Sequence, residues 1–318
     1  APGCLAREWN GEQKEMKLIV HGQQAFGKAV LESLLERGED VCAVYCAPDK
    51  GSRIDPLKAL AEERGLPLFQ PPSYKDAAVL EQMRSLNADL CVMAYVTLLV
   101  PEPVLKAPRL GSIQYHPSLL PLHKGPSSIN WPIIFGETKT GLSIFWPDEG
   151  LDTGPILLQK EVEIAPDDTL GSLYFNHLFP MGVAAMVEGV DLVRDGKAPR
   201  IEQDPSGGSY EGWCTADDVR IDWHQDVDRV YNMIRGANPQ PGAWTTLAGK
   251  RITVLDCSRS NDSDGAPGTV TAADASGITV AVNGGSVCIS RLKPEDGSKL
   301  SATEFLEHSA LVLGTVLG

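Results

Sequence analysis

A histidine, an aspartate and an amide stand where two apolar runs stop. Gly111-Ser112-Ile113-Gln114-Tyr115-His116 reads as a strand that ends at Pro117, because proline has no N–H to give to a sheet ladder. His116 then lies at a strand's carboxyl end, the edge of an open α/β sheet where ligands bind. A second strand, Leu142-Ser143-Ile144-Phe145-Trp146, runs into Pro147-Asp148-Glu149-Gly150-Leu151-Asp152-Thr153-Gly154. An imidazole titrates near neutrality and can give or take a proton at cellular pH. The Asp152 carboxylate could orient that imidazole or hold a water, and the glycines beside it allow tight turns and close ligand approach. Gln114 lies two residues before His116, on the same strand face, so its amide could donate to a developing oxyanion. Each residue also has a structural reading: a hydrogen-bonding histidine at a strand end, an Asx-turn cap and a packing amide.

The segments before His116 alternate between the two periods. Lys17 to Val20 is an apolar strand, and Ala25 to Arg37 repeats its apolar positions at helical spacing until Gly38. Strands at Val41 to Tyr45, Leu66 to Phe69 and Leu90 to Ala94 are separated by a helix from Pro56 and another over Ala77 to Leu86. Such alternation builds a parallel sheet with right-handed crossovers. Gly22-Gln23-Gln24-Ala25-Phe26-Gly27 lacks the spacing of a dinucleotide loop and reads as a tight strand-to-helix turn. After His116 come a short helix over Ser127 to Phe135, strands at Gly141 to Trp146 and Ile156 to Ile164, and a long helical stretch from Thr169 to Asp195 with a kink at Pro180. Asp204-Pro205-Ser206-Gly207-Gly208-Ser209 has linker chemistry. Beyond it lie a helix over Asp226 to Gly236, short strands at Arg251 to Leu255, Gly268 to Thr271, Ile278 to Val282 and Ser286 to Ser290, and a last helix over Ala302 to Leu311. Short strands with glycine, asparagine and aspartate turns point to a small barrel. The expected division is an extension over 1–15, a catalytic domain over 16–204 and a second domain over 205–318.

Bulk properties narrow the function. With 318 residues, 42% of them hydrophobic, the chain can bury two proper cores. No purely apolar run reaches the roughly 20 residues that span a bilayer, so no membrane partner is expected. A net charge of −14 disfavours nucleic acid. The seven cysteines form no CxxC pair and read as thiols of a reducing cytoplasm. The other histidines (21, 123, 177, 224 and 308) show no metal-ligand spacing, so no metal is expected.

His116-Pro117-Ser118-Leu119-Leu120-Pro121 together with Leu151-Asp152-Thr153-Gly154 resembles the folate-dependent formyltransferase superfamily, in particular the amino-terminal hydrolase domain of 10-formyltetrahydrofolate dehydrogenase. Ile221-Asp222-Trp223, Ile234-Arg235-Gly236 and Pro241-Gly242-Ala243-Trp244 extend the resemblance into the second domain. It implies a Rossmann-like parallel-sheet domain followed by a smaller OB-like β-barrel, with 10-formyltetrahydrofolate as formyl donor. It also implies that His116 and Asp152 are catalytic, and that Met93, Ala94, Tyr95, Pro147, Asp148, Glu149 and Gly150 lie against the pterin. Gln114 departs from the pattern, because the transferases carry asparagine there and the dehydrogenase's hydrolase domain carries an apolar residue. The retained amide favours a small amine or hydroxylamine as acceptor. Water in a hydrolase module, initiator tRNA and a non-catalytic folate-binding protein are the ranked alternatives.

Overall fold

The structure is a computed structural model, and it describes residues 15–309 and 311–318. The expected extension over 1–15 lies, Glu15 apart, outside the described residues. In chain order the elements are β1 (Lys17–Gly22), α1 (Gln24–Glu36), β2 (Asp40–Cys46), α2 (Pro56–Glu63), β3 (Leu68–Phe69), α3 (Ala77–Ser85), β4 (Leu90–Ala94), α4 (Glu102–Leu105), β5 (Ser112–His116), α5 (Asn130–Ile134), β6 (Lys139–Phe145) and β7 (Ile156–Glu163). There follow α6 (Leu170–Leu173), a π-helical turn (Tyr174–Leu178), α7 (Phe179–Arg194), α8 (Val227–Gly236), β8 (Trp244–Leu247), β9 (Lys250–Ser260), β10 (Val270–Asp274), β11 (Gly277–Val282), β12 (Gly285–Pro294), β13 (Leu300–Ser301) and α9 (Ala302–His308). The chain divides into two compact units. One is built from residues up to Tyr115 with Trp146–Glu149 and Ala185–Arg200, the other from His116–Phe145, Gly150–Ala184 and Ile201–Gly318.

In the first unit the strands run in the order β3-β2-β1-β4-β5, all parallel. β1 and β4 are almost wholly buried, as strands covered on both faces must be, which is why they read as unbroken apolar runs. Gly22 explains the turn into α1: a Cβ there would lie 2.1 Å from the Ala94 carbonyl oxygen, so only glycine lets the chain leave the sheet at that point. α2 starts as the sequence predicts, with the Asp55 carboxylate accepting from the Leu57 N–H, Pro56 in the first turn, and Leu57, Leu60 and Ala61 buried. The core beneath gathers Ile19, Tyr45, Tyr74, Met83, Cys91 and Met93.

In the second unit β6 and β7 form an antiparallel hairpin. The expected kink at Pro180 takes the form of a widened turn. Proline has no N–H for the helical ladder, and the Phe179 N–H before it reaches back five residues to the Tyr174 carbonyl. The joined stretch Leu170–Arg194 is long and apolar enough to cross a membrane by length and composition, although Pro180, Glu188 and Asp191 interrupt its apolar run. Asp191 and Arg194, near its carboxyl end, belong to the first unit and tie there to Arg37 and Glu39 in a charged cluster.

The rest of the second unit is a six-stranded antiparallel, barrel-like sheet in the order β10-β11-β12-β9-β8, with β13 on β12. Strand β8 was not expected from the sequence. Ala248 and Gly249, both at positive φ (51° and 77°), make a two-residue hairpin turn that pairs Leu247 with Lys250. Val230 and Ile234 of α8 join Val254, Val280, Val287 and Leu292 of the sheet in one core.

Candidate active site

His116 closes β5, and the turn after it is pinned by the β6–β7 hairpin. The Ser143 hydroxyl donates to the Ser118 carbonyl (2.7 Å) and accepts from the Leu120 N–H (3.0 Å), while Gln159 Nε2 donates to the Leu120 carbonyl (2.8 Å). The imidazole itself is buried, and its Nε2 lies 2.9 Å from the His123 carbonyl oxygen. A carbonyl only accepts, so Nε2 carries the hydrogen. In the neutral ring Nδ1 is then the free lone pair, and it faces Asp152 Oδ2 at 3.6 Å. That separation is beyond a hydrogen bond.

Asp152 is held separately. Its Oδ2 accepts from the Gly125 N–H at 2.9 Å, a reach of 27 positions, so the carboxylate is not spent on capping its own segment. Its backbone sits at φ 55°, in the left-handed region that aspartate tolerates better than most residues. Gln203 Nε2 clamps the same turn by donating to the carbonyls of Asp152 (2.9 Å) and Gly154 (2.7 Å). Ile201 pairs with Ile156 through two backbone bonds and carries Gln203 alongside the turn. Gly125 has φ 103°, and a Cβ there would lie 2.4 Å from the Glu211 carbonyl oxygen. Gly150, in the turn before Asp152, has no room for a side chain either, with Thr153 Oγ1 only 1.9 Å from the position of a Cβ.

His116 and Asp152 are thus brought together by parts of one unit. Gln114 lies half-buried in β5, two positions back on the same strand face. Met93 and Ala94 end β4 and are buried, and Tyr95 follows at φ 67°, about two-fifths exposed. Pro147 and Asp148 are half-buried, while Glu149 and Gly150 are exposed. Sequence reasoning missed Gly125, Gln203 and His123. A glycine after His123-Lys124 was the one local signal, whereas Gln203 acts on residues 49 and 51 positions away and leaves none.

At the carboxyl ends of β1 and β4, a pocket is lined by His21, Gln23, Tyr74, Tyr95 and Thr97. Burial pushes the His21 pKa down to about 3, so the ring is neutral and its Nε2 pairs with the Tyr74 hydroxyl at 2.8 Å. Among the described residues no group of three or more histidine, cysteine or acidic side chains could hold a metal ion.

Residues 15–188 match the formyl transferase family and residues 214–310 match its C-terminal domain. The chain is 40% identical over 310 residues to the mitochondrial 10-formyltetrahydrofolate dehydrogenase of Homo sapiens, covering 92% of this chain and 33% of that protein. It is 37% identical over 309 residues to a methionyl-tRNA formyltransferase of Geobacter metallireducens, covering 95% and 99%. The chain therefore spans about a third of the length of the dehydrogenases it matches. HypX from Aquifex aeolicus, solved in complex with tetrahydrofolic acid, shares the fold with a TM-score of 0.68 at 19% identity, over 92% of this chain and 47% of that one. With both family regions matched in order along the sequence, this chain belongs to the formyl transferase family, a family of enzymes for folate-dependent formyl transfer or hydrolysis.

Proposed function

We propose that this chain takes the formyl group of 10-formyltetrahydrofolate and passes it to a small amine or hydroxylamine, using His116 and Asp152 as the acid/base pair. The observation that carries the reading is the buried approach of His116 Nδ1 to Asp152 Oδ2 at 3.6 Å, with the far ring nitrogen anchored on a carbonyl. A ring fixed in this way accepts and releases its proton at one atom, Nδ1. When Nδ1 is protonated, that proton faces the carboxylate while Nε2 still donates to the His123 carbonyl.

The acceptor's lone pair attacks the formyl carbon, and the carbonyl electron pair moves onto oxygen. The His116 imidazolium stabilises that oxyanion, aided by the Gln114 amide. Asp152, directly or through water, takes the proton the nucleophile sheds. The oxyanion's electron pair then re-forms the carbonyl as the bond from the formyl carbon to the folate nitrogen breaks, the nitrogen takes a proton from the His116 imidazolium or from water, and tetrahydrofolate leaves. Met93, Ala94 and Tyr95, with Pro147 to Gly150, are assigned to the pterin, in keeping with the family resemblance.

Water as acceptor is the second reading. It is supported by the likeness to the formyltetrahydrofolate dehydrogenases, whose matched third is this chain's length. The net charge of −14 argues against a tRNA acceptor and leaves a cytoplasmic small-molecule role as the better fit. Incubation with 10-formyltetrahydrofolate, with and without a panel of amines, separates these readings by product mass. Formylated amine supports transfer, formate released without any amine supports hydrolysis, and failure to release tetrahydrofolate under either condition rejects both.

A further inference from the structure

His123 is a second buried histidine beside the proposed site, and the acid/base chemistry does not use its ring. Its Nδ1 lies 3.1 Å from Glu211 Oε2 and its Nε2 lies 3.0 Å from Glu137 Oε1. A carboxylate oxygen accepts, so each glutamate can take a hydrogen from the ring nitrogen it faces. Two carboxylates on opposite edges of one ring make a clamp on the ring, not a metal cage. The backbone of His123 sits at φ 51°, a left-handed conformation that an ordinary side chain disfavours. The His123 N–H donates to Ser209 Oγ (2.8 Å), and Lys124 bonds to Ser209 and Glu211 through the main chain. The carbonyl that this conformation turns inward is the one that accepts from His116 Nε2.

We propose that His123, clamped between Glu137 and Glu211, is a positioning residue that fixes the tautomer and orientation of His116. The inference rests on the reading of His116 as the acid/base residue. The clamp keeps the His123 backbone left-handed, the backbone aims its carbonyl at His116 Nε2, and that bond leaves Nδ1 as the atom that faces Asp152. Without the clamp the carbonyl is free to turn away, and His116 can place its proton on either nitrogen. The neutral ring then takes up its proton at Nε2 instead of Nδ1 for part of the time, which lowers kcat and leaves donor binding alone.

The test uses the whole chain and two variants, His123→Ala and Glu211→Gln. The second keeps a hydrogen-bonding group in place, so it is informative even if the alanine variant fails to fold. The 15N shifts of the His116 ring report its tautomer and require no turnover. The expected result is a protonated Nε2 in the wild type and a mixed tautomer in the variants, with kcat lower by about tenfold or more and the KM for 10-formyltetrahydrofolate within about threefold. An unchanged tautomer overturns the proposal whether or not kcat falls, and so does a mixed tautomer with unchanged kcat. A folded wild type that never releases tetrahydrofolate defeats the reading of His116 instead, and the ring shifts still judge the clamp.

Discussion

Asp152→Asn isolates the charge at the site. Asparagine keeps an oxygen for the Gly125 N–H, fits the same volume and tolerates φ 55°, so the turn should survive. What disappears is the attraction between the carboxylate and the imidazolium across 3.6 Å. At an effective dielectric of 20, that attraction amounts to about 4.6 kcal/mol. Each 1.36 kcal/mol is a factor of ten in rate, so kcat should fall by roughly two thousandfold. The assay follows tetrahydrofolate release at saturating 10-formyltetrahydrofolate, alongside a thermal melt. The expected outcome is the loss in kcat with little change in the donor's KM and in Tm. A variant that retains kcat to within about tenfold would refute the charge argument.

Gln203→Ala removes two donors from the Asp152 turn and should lower kcat by about tenfold while the donor's KM holds, and unaltered turnover would show that the turn keeps its shape unaided. If the Gln114 amide reaches the oxyanion, Gln114→Ala should lower kcat by roughly a hundredfold, and wild-type kcat would exclude the amide from the chemistry. His21 sets a pH dependence. Burial pushes its folded pKa down to about 3 from 6.5, so between these values the unfolded chain binds the extra proton. Its contribution is intact above pH 6.5 and declines as pH falls, by about 1.4 kcal/mol per unit. His21→Gln should therefore show a flatter acid limb in denaturant unfolding, and parallel curves for the two proteins would contradict the assignment.

Strongly periodic segments were legible in the sequence. Leu90–Ala94 forms the expected strand residue for residue, and the helix start at Pro56 and the buried face of Leu57, Leu60 and Ala61 follow from local rules. The positions of His116 and Asp152 were legible too, because Pro117 ends one strand and the glycines of 150–154 mark a turn. What escaped was long-range. Ser209 belongs to the stretch whose composition reads as linker, and Gln203 and Glu211 flank it, yet the three grip the Asp152 turn and His123 from 49 to 88 positions away. Hydrogen bonds at such separations leave no periodicity for a single sequence to display. Strand β8 escaped for a local reason: Ala248-Gly249 is not among the strongest hairpin signals, although Ala248 adopts a left-handed conformation.

The account stands or falls on whether the formyl carbon leaves the folate by way of His116 and Asp152. Single turnover of 13C-formyl-labelled 10-formyltetrahydrofolate, followed by NMR with the wild type and a folded His116→Ala/Asp152→Ala double variant, measures this directly. The account predicts that the label moves to an amine, or to formate, in the wild type and remains on the folate in the double variant. Equal rates of label loss in the two proteins would contradict it.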